Sequence, residues 1–443
     1  MEAGQERDAG LVLIWLAVTV PVMCWLLRHR EWPSLGRLRG ERHRHPGHSE
    51  DCPLCGQTAE QAECPDLAVV ERVVEAWPAR KSRRGRKKEL ETAGVACPNP
   101  GCTYVGIGNS AIHAIVGDGK RGLTDAIQYW RCQCCGRSFS SRWGTPLYGL
   151  KTPPKRVAEA MTAFAEGVDV SAAHRIFRHD ERTLSDWLAK CGRHAERLHD
   201  QLFRDCHCAH VQLDELVTRV RSCLERGWVW VVLDARTKIV PVVHIGRRKR
   251  DDAMVVVHQL KGRLAAGCVP IVTTDGLAAY YRAITAHFGR YVDQPNKRQR
   301  DWQVDPGLLY GQLHKILNGR RLKYAVSKIL CGTRDRFRSA MQGLGFSGRV
   351  QMAYVERFNL FLRETVAPLS RRTWSLAQTE EGLSHHLHWS LACYHLIKPH
   401  KALRRRVGES GRRYRPRTPA MAMAAGISTR PWAVRDILNY RLT

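Results

Sequence analysis

The chain has 443 residues, of which 44% are hydrophobic and 26% charged, a balance that excludes a disordered or collagen-like protein and leaves material for roughly two or three domains. Its 71 Lys and Arg residues outnumber 42 Asp and Glu residues, so the formal net charge of +29 favours a polyanionic partner, either nucleic acid or an anionic membrane face. The 16 cysteines are too sparse for an extracellular disulfide scaffold, and several stand in pairs that are typical of metal ligands.

Residues 1–50 contain an apolar stretch, Leu11 to Leu27, followed by an arginine-rich flank. Its 17 uncharged residues are at the lower limit for a membrane span, and Pro21 interrupts them. The basic flank would hold the rest of the chain on the cytoplasmic side. Three alternatives stay open: a membrane anchor, an upstream start codon, or an apolar tail that packs on the body.

Residues 51–92 hold a further cysteine pair and a basic linker. Cys52 and Cys55, with Cys64 beyond them, could bind a second zinc ion, although a fourth ligand is not evident. The run from Arg80 to Lys88 contains an Arg-Gly-Arg pattern that suits an A·T-rich minor groove. A solvated linker is the alternative.

Residues 93–150 carry two cysteine pairs that predict a zinc ribbon. Cys97 and Cys102 form one pair in a Pro- and Gly-rich turn, and Cys132 and Cys135 form another after an aromatic strand. Two such turns would place four thiolates at tetrahedral zinc distance, and the metal would replace a core too small to form alone. The alternative is four unrelated buried cysteines.

Residues 151–205 are predicted to form three helices arranged as a helix-turn-helix. Pro154 stands at the start of the first helix, Ser171 is expected to cap the second, and Asp180 is expected to cap the third. The outward side chains of the third helix that are expected to contact DNA are Arg182, Ser185 and Lys190. Helical packing without DNA contact is the alternative.

From His210 the pattern changes to strands. The predicted strands cover 211–213, 228–233, 239–245 and 269–274, and a predicted helix covers 253–264. This β-β-β-α-β order is that of an RNase H-like sheet, in which a right-handed crossover makes the first and fourth strands parallel neighbours. We therefore expect an α+β multidomain protein, with this sheet in residues 206–403.

The strand ends indicate which acids lie together. Asp214 and Asp275 should project side by side from one edge of the sheet, whereas Asp234 should emerge at the opposite edge and is the alternative for the first position. Adjacent carboxylates repel one another unless a divalent cation lies between them. A third ligand, Glu356, is expected on a helix over residues 350–367, with Asn359 and Arg363 on the same face.

These residues lie within motifs that resemble a known family. Asp214-Glu215, Thr274-Asp275-Gly276, the block from Tyr354 to Leu360 and the block from Leu369 to Trp374 resemble the transposases of bacterial insertion sequences. The resemblance covers roughly residues 95–405. It is closest to the insertion-sequence-one-like group, which carries a zinc ribbon and a helix-turn-helix before a DDE catalytic domain. The apolar N-terminal stretch and the Cys52 pair depart from that pattern.

The resemblance implies a DNA transposase that cuts the ends of its element and joins them to target DNA. Asp214, Asp275 and Glu356 would hold two Mg²⁺ ions, and water or a 3′-hydroxyl would be the nucleophile. The protein would act as a homo-oligomer on DNA in the cytoplasm, associated with the nucleoid. The side chains expected to position phosphates are Arg357, Asn359, Arg363, Arg371 and Arg372.

Two basic segments complete the sequence. Residues 290–345 are expected to be a DNA-contacting insertion in the core, with a solvated loop as the alternative. Residues 404–443 form a basic tail, in which the arginines from Arg404 to Arg417 would bind backbone phosphates. Two other functions stay open: a catalytically silent DNA-binding regulator derived from a transposase, and a membrane-tethered nuclease that uses the Leu11–Leu27 stretch.

Overall fold

The computed structural model describes residues 74–77, 90–122, 126–223, 226–293, 300–319, 321–407, 413–423 and 427–442. The protein is of mixed α and β structure. The Leu11–Leu27 stretch, the Cys52 and Cys55 pair and the Arg80–Lys88 run lie outside the described residues. Within the ranges above, no helix combines the length and the apolar character needed to cross a bilayer.

A small antiparallel sheet comes first in the chain. It consists of β1 (Ile115–Arg121), β2 (Ile127–Cys132) and β3 (Ser138–Ser140), in that order. Its core is small: the side chains of Tyr104, Trp130 and Phe139 are buried beside three of the four predicted cysteine ligands. Cysteines thus take up much of the space that a larger domain would fill with aliphatic side chains.

Three helices follow: α1 (Pro154–Ala165), α2 (Val170–Phe177) and α3 (Glu181–Leu202). Asp180 caps α3 as predicted, since its carboxylate accepts a hydrogen bond from the Arg182 backbone N–H at 2.9 Å. The predicted cap of α2 was wrong. Asp169, not Ser171, accepts a hydrogen bond from the backbone N–H of Ala172 at 2.7 Å, and α2 therefore begins at Val170.

The central sheet has six strands. These are β4 (His210–Thr218), β5 (Gly227–Asp234), β6 (Val242–Gly246), β7 (Ile271–Asp275), β10 (Tyr310–Asn318) and β11 (Arg321–Cys331). Their order across the sheet is β11-β10-β7-β4-β5-β6. Strand β7 pairs in parallel with both β4 and β10, and the other pairs are antiparallel. With α4 (Arg250–Arg263) before β7, the predicted β-β-β-α-β element order and the parallel pairing of its first and fourth strands are confirmed.

Three strand boundaries differ from the prediction by two residues or more. Strand β4 continues through both of its acids to Thr218, because it pairs with β5 along its whole length, so Asp214 lies inside a strand and not at its end. Strands β6 and β7 begin later than predicted, directly after Pro241 and Pro270 respectively. A proline has no backbone N–H to donate to a neighbouring strand.

The segment predicted as an insertion, residues 290–345, contributes two strands to the sheet. A short pair, β8 (Gly289–Val292) with β9 (Asp301–Val304), precedes β10 and β11, and α6 (Arg334–Gly343) follows them. The N-terminal half of β10 is buried beside β7, and the end of the β10–β11 ribbon extends beyond the sheet as an exposed arm. The basic composition of this segment concealed a core strand.

Helices cover both faces of the sheet. Trp230 and Val232 of β5 pack with α4 and α5 (Ala278–His287), whereas Val229 and Val231 pack on the other face with α7 (Ala353–Thr365) and α8 (Glu380–Leu396). Burial on both faces explains why β5 is a continuous apolar run. Helices α1 to α3 share the first of these cores, which is therefore continuous across residue 205, where a domain boundary was predicted.

The close packing of α3 on α8 depends on one small residue. A Cβ atom added to Gly192 would lie 2.3 Å from the backbone oxygen of His385.

After α8 come β12 (Arg405–Val407), β13 (Arg413–Arg415), α9 (Pro419–Ala422) and α10 (Val434–Asn439). Ile437 and Leu438 of α10 are buried in the same core as α1, so the C-terminal residues pack back on the helical segment.

Candidate functional site

An open cleft of about 490 Å³ lies at the edge of the sheet where β7 ends. We call it the acidic cleft. Three of its lining residues are the predicted catalytic acids, which come from three different elements: Asp214 from β4, Asp275 from the end of β7 and Glu356 from α7. The fold thus brings together three carboxylates that are far apart in the sequence.

The pairing of β4 with β7 places two of these acids side by side. Leu213 is opposite Thr274 in the parallel register, so the next residue of each strand is an aspartate. One carboxylate oxygen each from Asp214, Glu215 and Asp275 lie within 4.8 Å of one another, a grouping that could hold a metal ion. Asp275 is further oriented by the Leu277 backbone N–H, which donates to its Oδ1 at 3.0 Å.

Glu356 is in the cleft but outside that group of three. Its Oε1 forms an ion pair with Nζ of Lys315 on β10. Asn359, one turn further along α7, is only 7% exposed, and its Nδ2 donates to Oδ2 of Asp214 at 2.8 Å. Asn359 was expected to position phosphates; its amide instead holds a carboxylate of the cleft.

A buried glutamine that the sequence did not indicate fixes α7 over β4. Gln212 Oε1 accepts hydrogen bonds from the backbone N–H groups of Tyr354 and Val355, and its Nε2 donates to the backbone oxygen of Gln351. It therefore satisfies two N–H groups that the first turn of α7 leaves free. Because alternate residues of a strand share a face, Gln212 and Asp214 both face α7.

Glu215 is the acid that sequence reasoning missed as a candidate ligand. Its side chain is 1% exposed, with Oε1 paired to Arg248 and Oε2 accepting a hydrogen bond from Tyr280 at 2.9 Å. Neighbouring side chains of a strand point to opposite faces, yet carboxylate oxygens of Glu215 and Asp214 lie within 4.8 Å of each other. The available signal was the pair of adjacent acids, Asp214 and Glu215, inside one strand.

Burial and neighbouring charges raise the pKa values of two carboxylates, Asp214 and Glu215. Burial, followed by the charge of Glu215 and those of Asp275 and Glu356, raises the pKa of Asp214 to about 7. Burial, with the charge of Asp275, also raises the pKa of Glu215. A divalent cation would relieve this repulsion, and carboxylate oxygens are the donors that Mg²⁺ and similar hard ions prefer. The donor set therefore fits such an ion.

The alternative first ligand, Asp234, has a structural role. It is fully buried at the opposite end of β4, where it is paired with Val211. Its two oxygens accept hydrogen bonds from the backbone N–H groups of Ala209, His210 and Thr237 and from the Thr237 hydroxyl. These contacts close the turn after β5 and leave Asp234 remote from Asp275.

The four predicted cysteine ligands form a second group that could bind a metal ion, and zinc is the ion that such a set favours. Cys97 Sγ lies 3.6 Å from Cys135 Sγ, and Cys102 Sγ lies 3.7 Å from Cys132 Sγ. Zinc–sulfur bonds of about 2.3 Å in a tetrahedron place the sulfurs about 3.8 Å apart, so these spacings suit a four-thiolate site. Cys134 is exposed and does not belong to the group.

The thiols differ in how easily they would ionise. Burial raises the pKa of Cys97 to about 12. Burial acts in the same direction on Cys135, but hydrogen bonds from the Arg137 backbone and the Asn99 side chain outweigh it and lower the pKa of that thiol to about 7. Cys135 is therefore the more easily ionised of these two thiols.

The remaining predicted DNA contacts lie at the surface. Arg182 and Ser185 are exposed on α3, and Lys190 is half-buried. Near the acidic cleft, Arg363 is half-buried, and its pKa is lowered by burial and by Arg371 but raised by Asp214. The fully exposed members of the set are Arg357, Arg371 and Arg372.

No protein-family model matches the chain, and no curated protein is significantly similar to it.

Proposed function

We propose that the protein is a DDE-type DNA transposase that cuts the ends of an insertion sequence and joins them to target DNA. One observation carries the proposal: Asp214, Asp275 and Glu356, from separate parts of the chain, line a single cleft at the edge of the sheet. The strand order and the parallel pairing of β4 with β7 agree with an RNase H-like core, in which such a cleft is the reaction site.

Asp214, Asp275 and Glu356 would hold the catalytic metal, with Glu215 beside them. When bound, two Mg²⁺ ions would supply Lewis-acid activation of the nucleophile and stabilisation of the leaving oxygen. Asn359 orients the Asp214 carboxylate, and Arg248 holds Glu215. Glu356 becomes available as a ligand only if Lys315 releases it, and Lys315 would then lie free beside the phosphate of the substrate.

The N-terminal elements would bind the element ends. In this proposal the four cysteines hold a structural Zn²⁺ ion, and α2 and α3 form a helix-turn-helix whose turn contains Arg178 in a left-handed conformation, with φ of 58°. Arg182, Ser185 and Lys190 would contact DNA from α3, and Arg363, Arg371 and Arg372 would contact it near the acidic cleft. The protein would work as a homo-oligomer on DNA.

A catalytically silent DNA-binding regulator is the second candidate, and a specific observation favours it. Three acids in or beside the acidic cleft already have counter-charges: Lys315 pairs with Glu356, and Arg248 pairs with both Glu215 and Asp275. Permanent pairs of this kind would neutralise the site without a metal.

The test is Mg²⁺-dependent nicking and strand transfer, measured on duplexes that carry the DNA flanking the coding sequence. Asp275→Asn and Glu356→Gln should each reduce the rate by more than about 100-fold, because even partners of metal ligands are worth about 10- to 100-fold. Glu364→Gln is the matched control, since Glu364 is exposed on the same helix as Glu356.

Equal activity of Asp275→Asn or Glu356→Gln and the Glu364→Gln control would exclude the proposed site. Tight binding of these duplexes by a wild-type protein that cleaves none of them, at any Mg²⁺ concentration, would support the regulator instead.

A further inference from the structure

A second cleft, of about 550 Å³, lies beside α7. We call it the basic cleft. It is formed by α7, by the short 3₁₀ helix Lys401–Leu403 and by the antiparallel pair of β12 and β13. Its lining residues are Arg357, His400, Lys401, Ala402, Arg404, Arg406 and Tyr414.

Among the residues that the structure describes, the cations around the basic cleft have no acidic partner. Arg357, Lys401, Arg404 and Arg406 are exposed, no carboxylate is among the lining residues, and none of the four forms an ion pair with any residue that the structure describes. The acidic cleft differs, because its cations Lys315 and Arg248 are paired with glutamates. Four unpaired cations around one cavity repel one another, and an anion in the cavity would relieve that repulsion.

Two of the three arginines of the basic cleft lie against an aromatic ring. Arg406 is directly opposite Tyr414 in the β12–β13 pairing. The guanidinium carbon of Arg404 lies 4.1 Å from the centre of the Tyr414 ring, and that of Arg406 lies 5.9 Å from it. Guanidinium groups that are already oriented lose less freedom when they bind a phosphate through two parallel hydrogen bonds.

The same ring contacts indicate which part of a nucleic acid would bind. Because Arg404 lies against the Tyr414 ring, the face that it covers is occupied by a cation and is not available for stacking on a base. The four exposed cations have the chemistry to bind phosphate oxygens, which carry no base sequence.

The basic cleft is separate from the acidic cleft. The two share no lining residue, although Glu356 lines one and Arg357 lines the other. Successive residues of a helix point about 100° apart, so Glu356 faces the acidic cleft from one side of α7 and Arg357 faces the basic cleft from an adjacent side. An anion in the basic cleft would thus lie outside the reaction site but against the same helix.

We propose that the basic cleft binds the phosphodiester backbone of duplex DNA, independently of base sequence and at a place separate from the phosphate that reacts. The inference rests on the proposed function only in identifying the polyanion as DNA. It gives the enzyme a second contact along the bound duplex, and it assigns that contact to Arg357, Lys401, Arg404 and Arg406 around Tyr414.

The test measures binding of the full-length, zinc-loaded protein to a mixed-sequence duplex by fluorescence anisotropy without Mg²⁺, between about 50 and 200 mM salt. Arg406→Ala should weaken binding roughly tenfold at low salt and lower the slope of log affinity against log salt by about one. Arg406→Lys should keep most of that slope. Arg435→Ala, which removes an exposed arginine of α10, is the matched control and should change neither quantity.

Identical affinity and salt slope in Arg406→Ala and Arg435→Ala would overturn the proposal. Inorganic tripolyphosphate serves as a second probe. If it competes with DNA only at concentrations far above that of the duplex, the result supports a site for the DNA backbone. If it binds tightly and the duplex does not bind, the proposal is overturned. Asp275→Asn separates the two proposals: if this variant still cleaves DNA while Arg406→Ala loses binding, the catalytic assignment fails and the basic cleft stands.

Discussion

At the scale of single residues, the acidic cleft depends on groups that hold its carboxylates. Asn359 is buried on the inner side of α7 and donates to Asp214 at 2.8 Å, and Tyr280 and Arg248 hold Glu215. Partners of metal ligands set the orientation and basicity of those ligands. The donor side chains are therefore as much a part of the site as the acids.

Asn359→Leu should weaken metal binding by about 10- to 100-fold, because Asp214 loses the donor that orients it and faces an apolar side chain instead. The measurement is a titration with Mn²⁺ as a spin-active substitute for Mg²⁺, followed by the metal dependence of cleavage. Leu360→Ala, which changes the exposed neighbouring residue, is the control. An unchanged Mn²⁺ titration in Asn359→Leu would contradict this role.

At the scale of elements, the small sheet and α7 obtain their stability in different ways. The three strands β1 to β3 enclose a core in which three of the four candidate metal ligands are themselves buried, so a bound ion would supply much of the folding free energy. Helix α7 is positioned by Gln212, which accepts from its first-turn N–H groups, and by an apolar stripe that includes Val355 and Leu362. The stripe was predictable from its helical spacing, whereas the glutamine contact joins residues about 140 positions apart.

Cys132→Ser should abolish stoichiometric zinc binding and the hydrogen-exchange protection of residues 93–140, since three thiolates bind zinc much less tightly than four and this small core depends on the metal. Metal analysis and hydrogen exchange read by mass spectrometry would measure both effects. Cys134→Ser is the matched control, because that thiol is exposed and outside the group. Loss of zinc in Cys134→Ser, or retention of both properties in Cys132→Ser, would show that the four thiols are not the ligands.

At the scale of the whole molecule, buried histidines link the fold to pH. Burial lowers the pKa of His386 to about 4, and burial together with the charge of Arg263 lowers that of His395 to about 3. Burial also lowers the pKa of His194 and of His210 to about 4. These rings lie in the cores that join the helices to the sheet, so their protonation would disrupt the packing of the whole body.

The free energy of unfolding should therefore fall as the pH falls below about 6.5, the pKa of an unfolded histidine, and continue to fall towards about 4. Above about pH 6.5 these rings are neutral in both the folded and the unfolded chain, so their full contribution to the free energy of unfolding is present. Below about pH 6.5 the rings of the unfolded chain bind protons, whereas those of the folded chain do not. Each buried ring contributes up to about 1.4 kcal/mol per pH unit. Urea unfolding between about pH 7.5 and 4.5 measures the slope, which His386→Leu should reduce; a flat profile would refute the argument.

The sequence by itself determined several local features of this protein: the cysteine spacing, the Asp180 cap of α3, the β-β-β-α-β order and the adjacency of Asp214 and Asp275. Each of these follows from short-range chemistry or from the single handedness of crossovers. Only the tertiary structure decided the contacts between distant segments. It placed β10 inside the sheet despite its basic surroundings, turned Asn359 towards Asp214, brought Glu215 into the acidic group and paired Lys315 with Glu356. These outcomes depend on which strands are neighbours and how helices pack across them, and no local pattern encodes that.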